Sequence, residues 1–338
     1  MPLIESSYKA PLLFGGGHTS TILTKLFRKV DGVSFNRKRI STPDNDFLDL
    51  DFSKKGNGKI AVLVHGLEGS SESTYMQGMA KELNNNEWDA VCFNMRGCSG
   101  EVNLLFSAYH SGKTDDLNLV INQIKNDYQT IILIGFSLGG NLLLKYLGEN
   151  ENRLDSNIKL GIAISAPCDL EGSAVELKKA KNILYMQRFL KTMKAKAREK
   201  YKLHPESNLN LEKIEKAKDF HEFDNLYTAP AHGFNDVYDY WSKCSSKQFL
   251  ANISIPTLLI NATNDPFLSE SCYPIEEAKN NSNLFLEIPK NGGHLGFLSP
   301  SGFRGKSWLE KRVIEFINLH FNIADMSNNS LGKRRPIT

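Results

Sequence analysis

Apolar and polar positions alternate between two rhythms along most of this chain. Short, densely apolar runs, "KIAVLVHG" at 59–66, "DAVCFNM" at 89–95 and "TIILIGF" at 130–136, are separated by longer stretches such as "STYMQGMAKELNNN" and "TDDLNLVINQIKN". In those stretches apolar residues recur every three to four positions. The first rhythm predicts strands buried on both faces, the second amphipathic helices. Two alternating segments, "KRIST" and "FLDLDF", come earlier and read as edge strands. The sheet is therefore expected to begin antiparallel and turn parallel, giving a doubly wound α/β architecture.

The rhythm breaks after "LGIAISA" at 160–166 and resumes at "PTLLINA", 256–262. The intervening stretch is helical and rich in lysine, and predicts an inserted cap. Residues 1–167 and 251–325 then form the core and 168–250 the cap, with a polar tail expected to be disordered over 326–338. "LFLEIP" supplies a last strand and "SWLEKRVIEFINLHF" a closing amphipathic helix. Within 171–220 thirteen Lys or Arg stand against seven Asp or Glu, which reads first as solvated helix faces.

Composition narrows the function classes. With 23% charged residues and a formal net charge of +3, neither nucleic acid nor an anionic membrane is indicated as a partner. The N-terminus carries no export signal, and no window approaches the roughly 18 apolar residues of a spanning helix. Peripheral membrane contact stays open. Five cysteines without C-x-x-C spacing point to a reducing, cytoplasmic setting. No spacing supports a metal site or a phosphate-cradling loop, so no cofactor is expected.

Candidate chemistry starts at Gly135-Phe136-Ser137-Leu138-Gly139, which follows a strand and opens the helical "GGNLLLKYLGE". A serine on so sharp a strand-to-helix turn is lifted clear of the sheet, the arrangement of a nucleophile elbow. Its hydroxyl needs an imidazole as base, and the imidazole a carboxylate to fix its tautomer. Asp265 in "LLINATNDPF" and His294 in "KNGGHLGF" lie in loops after later strands, in the chain order serine, acid, histidine. Taken alone, Asp265 before Pro266 also fits an Asx turn, and His294 a loop histidine beside glycines. The preceding strands favour the catalytic reading. The backbone N–H groups of Leu138 and of Leu67, which follows "HG" at 65–66, are candidate oxyanion donors. His65 is expected to shape that loop, and Cys98 to be a small buried hydrophobe.

Three stretches carry a resemblance: "HGLEGSSESTYMQGMA", "FNMRGCSGEVNLLFSAYHSGKTDDL" and "GFSLGGNLLLKYLGE". Together with "GGGHTSTI", "DFLDLDF", "NATNDPFL" and "GGHLGF", they closely resemble the YheT-like branch of the α/β-hydrolases. That branch also contains animal membrane-associated lipases and yeast ethyl-ester-forming acyltransferases. The resemblance implies an α/β-hydrolase fold, with Ser137 as nucleophile, Asp265 as acid, His294 as base, and Leu67 and Leu138 as oxyanion donors. Two features depart from the branch. Ser20 stands where similar proteins usually have glutamine, and the apolar N-terminal anchor of animal members is missing.

The expectation is a serine hydrolase acting on short- to medium-chain or lipid-like carboxylic esters. An acyltransferase or thioesterase using the same triad, and a binding protein on the same fold, are the alternatives. Phe136, Phe267 and Phe297 are expected either to line an acyl pocket or to pack in the core.

Overall fold

The structure is a computed structural model and describes residues 2–12, 14–151, 153–299 and 302–331, the last ten as backbone. Its strands are β1 (Leu3–Ile4), β2 (Asn36–Ser41), β3 (Phe47–Ser53), β4 (Lys59–Val64), β5 (Asp89–Asn94), β6 (Thr130–Phe136), β7 (Ile158–Ile164), β8 (Thr257–Ile260) and β9 (Leu284–Glu287). They form one sheet in the order β1-β9-β8-β7-β6-β4-β5-β3-β2. Only the pairings of β3 with β2 and with β5 are antiparallel; the rest are parallel.

Alternation in β3 explains its place near the edge. Leu48 and Leu50 point into one core layer, while Asp49 and Asp51 point to the other face. There each carboxylate meets the guanidinium directly opposite on β2, Arg39 and Arg37, in a bidentate pair. The central strands have no polar face, because helices cover both sides.

The helices are α1 (Gly17–Phe27), α2 (Thr74–Asn85), α3 (Thr114–Ile124), α4 (Leu138–Glu149), α5 (Leu170–Lys178), α6 (Ile183–Leu203), α7 (Leu211–Lys216), α8 (Phe220–Phe223), α9 (Ala229–Ala231), α10 (Val237–Cys244), α11 (Ile275–Asn280) and α12 (Trp308–Leu331). Those from α5 to α10 stand between β7 and β8 and enclose an apolar cluster of their own that includes Met186, Leu190, Ile214, Phe223 and Trp241. A π-helical turn at Asp224–Thr228 interrupts them. The closing helix continues to Leu331, past Met326 where the sequence pattern placed a disordered tail; residues 332–338 of that tail lie outside the described residues.

Two features went unread in the sequence. The two-residue strand β1 pairs with β9, and α1 docks against the loops that follow β8 and β9. The reading of the lysine-rich cap as solvated faces needs correction for Lys196 and Lys200. One helical turn apart, they share a face of α6 that points inward, and Lys200 is only 1% exposed. Its ammonium donates to the carbonyls of Asn103 and Leu105, and burial lowers its pKa to about 8.

Candidate active site

The turn from β6 into α4 gives Ser137 its position. Its backbone is strained, with φ 53° and ψ −122°, and the strain is held by the following helix packing directly against the sheet. A Cβ on Gly139 would lie 2.3 Å from the carbonyl oxygen of Val64, so only glycine allows that approach. The Ser137 hydroxyl thereby sits beyond the end of the strand.

The strand ends of β8 and β9 bring the other two residues to it. His294 Nε2 is 2.8 Å from Ser137 Oγ, and His294 Nδ1 is 2.9 and 3.1 Å from the carboxylate oxygens of Asp265. The Asp265 side chain is fully buried, and one of its oxygens also accepts the Phe267 N–H at 2.9 Å. With Nδ1–H donated to Asp265, Nε2 presents its lone pair to the serine. The sequence-predicted serine, acid and histidine thus meet.

Helix α1 holds this geometry from the opposite side. His294 donates its backbone N–H to Thr21 Oγ1 at 2.8 Å, and Gly293 donates its own to Asn264 Oδ1 at 2.9 Å. A Cβ on Gly17 would meet the Asn264 carbonyl at 1.9 Å, so the start of α1 rests on the acid loop with no room to spare. His18, whose part the sequence left open, stacks on Tyr185 of α6 and hydrogen-bonds its hydroxyl at 3.2 Å. That contact joins α1 to the inserted helices.

Among the described residues, no acceptor is recorded for the backbone N–H of Leu67 or of Leu138. Both residues line the cavity around Ser137. The Leu67 loop is braced by its neighbours. Gly66 donates to Tyr75 Oη, and Glu68, at φ 55°, exchanges hydrogen bonds with Tyr109. Lys196 reaches down from α6 to Glu68 at 2.9 Å and lies 3.1 Å from Cys98 Sγ. Cys98 is buried as expected, and burial raises its thiol pKa to about 11. His65 is fully buried, donating Nδ1–H to the Gly66 carbonyl and accepting the Met95 N–H at Nε2.

Two cavities meet at Ser137 and His294. The inner one, about 980 Å³ with its open mouth, runs under the inserted helices past Leu170, Leu177, Phe189, Phe220 and Phe223. The outer one, about 1220 Å³ on the same basis, opens between α1 and α6. Phe267 lines both and packs on the His294 ring at 4.1 Å between centroids. Phe136 and Phe297 line neither; each is 1% exposed in the core on the far side of the sheet from α4, so their reading as pocket residues is set aside. Among the described residues, no group of three or more His, Cys, Asp or Glu is placed to hold a metal ion.

Buried titratable groups around the site predict acid sensitivity. Burial lowers the pKa of His65 and of His232 from 6.5 to about 4, and drives that of His110 well below 6.5. The unfolded chain therefore binds more protons than the folded one between pH 6.5 and 4, so stability is lost as pH is lowered through that range. Asp224, raised by burial from 3.8 to about 6, works in the opposite direction but is one group against three. Stability is expected to drop by on the order of 3 kcal/mol between pH 7 and 4.5. Urea denaturation at the two pH values measures it; a flat or rising profile would mean that these imidazoles do not stay neutral in the fold.

A sheet of this order, with a serine at the β6 turn and an acid and a histidine after β8 and β9, defines an α/β-hydrolase. The family model described as the alpha/beta hydrolase fold matches residues 61–300. YheT of Escherichia coli is 32% identical over 314 residues, 91% of this chain and 92% of that one. The mouse phospholipase ABHD3 is 27% identical, covering 94% and 79%. A Saccharomyces cerevisiae monoacylglycerol lipase is 26% identical, covering 82% and 62%. A solved esterase from Pyrococcus furiosus shares the fold with a TM-score of 0.56 at 16% identity, over 86% of this chain and 95% of that one. The chain belongs to the α/β-hydrolase family, in its YheT-like branch.

Proposed function

We propose that this protein is a carboxylic ester hydrolase working through an acyl-enzyme on Ser137. The observation that carries the reading is the 2.8 Å contact of Ser137 Oγ with an imidazole whose other nitrogen is held by a buried carboxylate. As Oγ attacks the acyl carbon, its proton passes to His294 Nε2, and the carbonyl electrons move onto oxygen facing the Leu67 and Leu138 N–H groups. Collapse of this tetrahedral intermediate breaks the bond to the alcohol, which leaves with the proton from Nε2. Water then attacks the acyl carbon, again losing a proton to Nε2, and the acid departs as Ser137 regains its hydrogen.

The apolar inner cavity supports short- to medium-chain or lipid-like acyl groups as substrates, and relatives named as lipases and phospholipases agree with that class. In this reading the helices from α5 to α10 act as a cap over the acyl chain. All five cysteines are free and buried, which fits the cytoplasm as the compartment. No described helix is long and apolar enough to cross a membrane.

The test is covalent capture. A fluorophosphonate should phosphonylate Ser137 stoichiometrically and abolish turnover of p-nitrophenyl esters, assayed from acetyl to palmitoyl to size the acyl cavity. A label on another residue, or an unlabelled protein with no turnover across the series, would end the proposal.

A further inference from the structure

The outer cavity is built differently from the inner one. Thr21 and Lys25, one helical turn apart, line it from α1, with Arg28 just past the end of that helix; Tyr185, Arg188 and Thr192 line it from α6. Two of its charges are neutralised locally. Arg28 is buried against Glu310, and Glu68, among the described residues the one acidic side chain lining the cavity, is engaged by Lys196 and Tyr109. Lys25 and Arg188 are different: both are solvent-exposed along the cavity, and among the described residues neither side chain has an ion-pair or hydrogen-bond partner in the protein. They are also near enough that the Arg188 charge, after the larger effect of desolvation, lowers the Lys25 pKa. Two like charges that line one cavity, with no described acidic side chain paired to either, make its potential positive and favour an anion there.

An ester bound at Ser137 must send its two arms in two directions, and the cavities supply two. The inner, apolar one suits the acyl chain. We propose that the outer cavity is the leaving-group subsite and that it selects alcohols bearing an anion, a phosphate or a carboxylate, held between Lys25 and Arg188. This inference rests on the ester hydrolase reading and adds the class of alcohol. Thr21 and Thr192, on the same two helices, border the space the alcohol would cross. The guanidinium of Arg188 is suited to grip two oxygens of either anion at once.

The experiment keeps the acyl group constant and varies the alcohol. Octanoyl esters of glycerol, glycerol 3-phosphate and glycerate are compared by kcat/KM, with p-nitrophenyl octanoate assayed alongside. At least one anionic ester is expected to exceed the neutral glycerol ester by about tenfold or more, and the advantage should shrink as salt is raised. The better of the phosphate and carboxylate arms identifies the anion. In the Lys25→Ala/Arg188→Ala double variant the ratio of anionic to neutral kcat/KM is expected to fall to about one. A ratio taken within one preparation does not depend on the fraction of enzyme correctly folded. The Lys25→Glu/Arg188→Glu variant should reverse the preference, turning over octanoylcholine faster than the anionic esters. A wild-type enzyme indifferent to the alcohol's charge, or a ratio unchanged in the double variant, would overturn the subsite while p-nitrophenyl octanoate turnover left the hydrolase reading standing. Loss of turnover on that neutral ester as well would remove both.

Discussion

Replacing Ser137 with alanine is expected to lower kcat on p-nitrophenyl butyrate by about 10⁴-fold or more, with little change in melting temperature. The size follows from what remains. His294 and the Leu67 and Leu138 N–H groups would still polarise a bound ester, but water would have to replace an oxygen already fixed 2.8 Å from the base. The small cost in stability follows from the contacts of the hydroxyl, which among the described residues hydrogen-bonds His294 alone. Alanine also keeps the backbone options of serine at φ 53°, so the elbow stays as strained as before. The variant should in addition take up no fluorophosphonate. A kcat within about tenfold of the wild type, with melting unchanged, would assign the nucleophile elsewhere.

The meeting of Ser137, Asp265 and His294 was legible in the sequence because the signals for each are local. The elbow requires glycines around a serine between a strand and a helix, and the candidate acid and base each sit in a loop directly after an apolar run. Such signals survive without knowledge of strand order. What surrounds the triad was harder to read because it is assembled from distant segments by packing. Strand β1 has two residues and no periodicity to detect. The clamp of α1 on the histidine loop depends on Thr21 and Gly17 meeting residues more than 240 positions away. Lys196 and Lys200 look like any solvated helix lysines until the core supplies Glu68 and the carbonyls near Asn103. Phe136 precedes Ser137 directly and Phe267 follows Asp265 by two residues, yet one belongs to a strand facing the core and the other to a loop facing the cavity. The direction of a side chain from a strand end depends on register, and the pentapeptide alone does not reveal it.

Changing Asp265 to asparagine is expected to cost nearly as much as losing the serine, about 10⁴-fold in kcat, through a single misplaced proton. One carboxylate oxygen accepts the Phe267 N–H at 2.9 Å and lies 3.1 Å from His294 Nδ1; the other is 2.9 Å from Nδ1. The Phe267 donor fixes the asparagine carbonyl at the first position, since the amide nitrogen there would oppose another N–H. The amide NH2 then stands 2.9 Å from Nδ1 and tolerates only a nitrogen without hydrogen. The imidazole proton is forced to Nε2, which would donate toward Ser137 Oγ where catalysis needs an acceptor. Geometry and KM should change little, because the substitution is isosteric and Asp265 is buried beneath the ring, leaving kcat to carry the loss. A kcat reduced by less than about tenfold would mean that another group orients His294. A large loss accompanied by retained, slower phosphonylation of Ser137 would separate the failed base from the intact nucleophile and establish Asp265 as the residue that sets the tautomer.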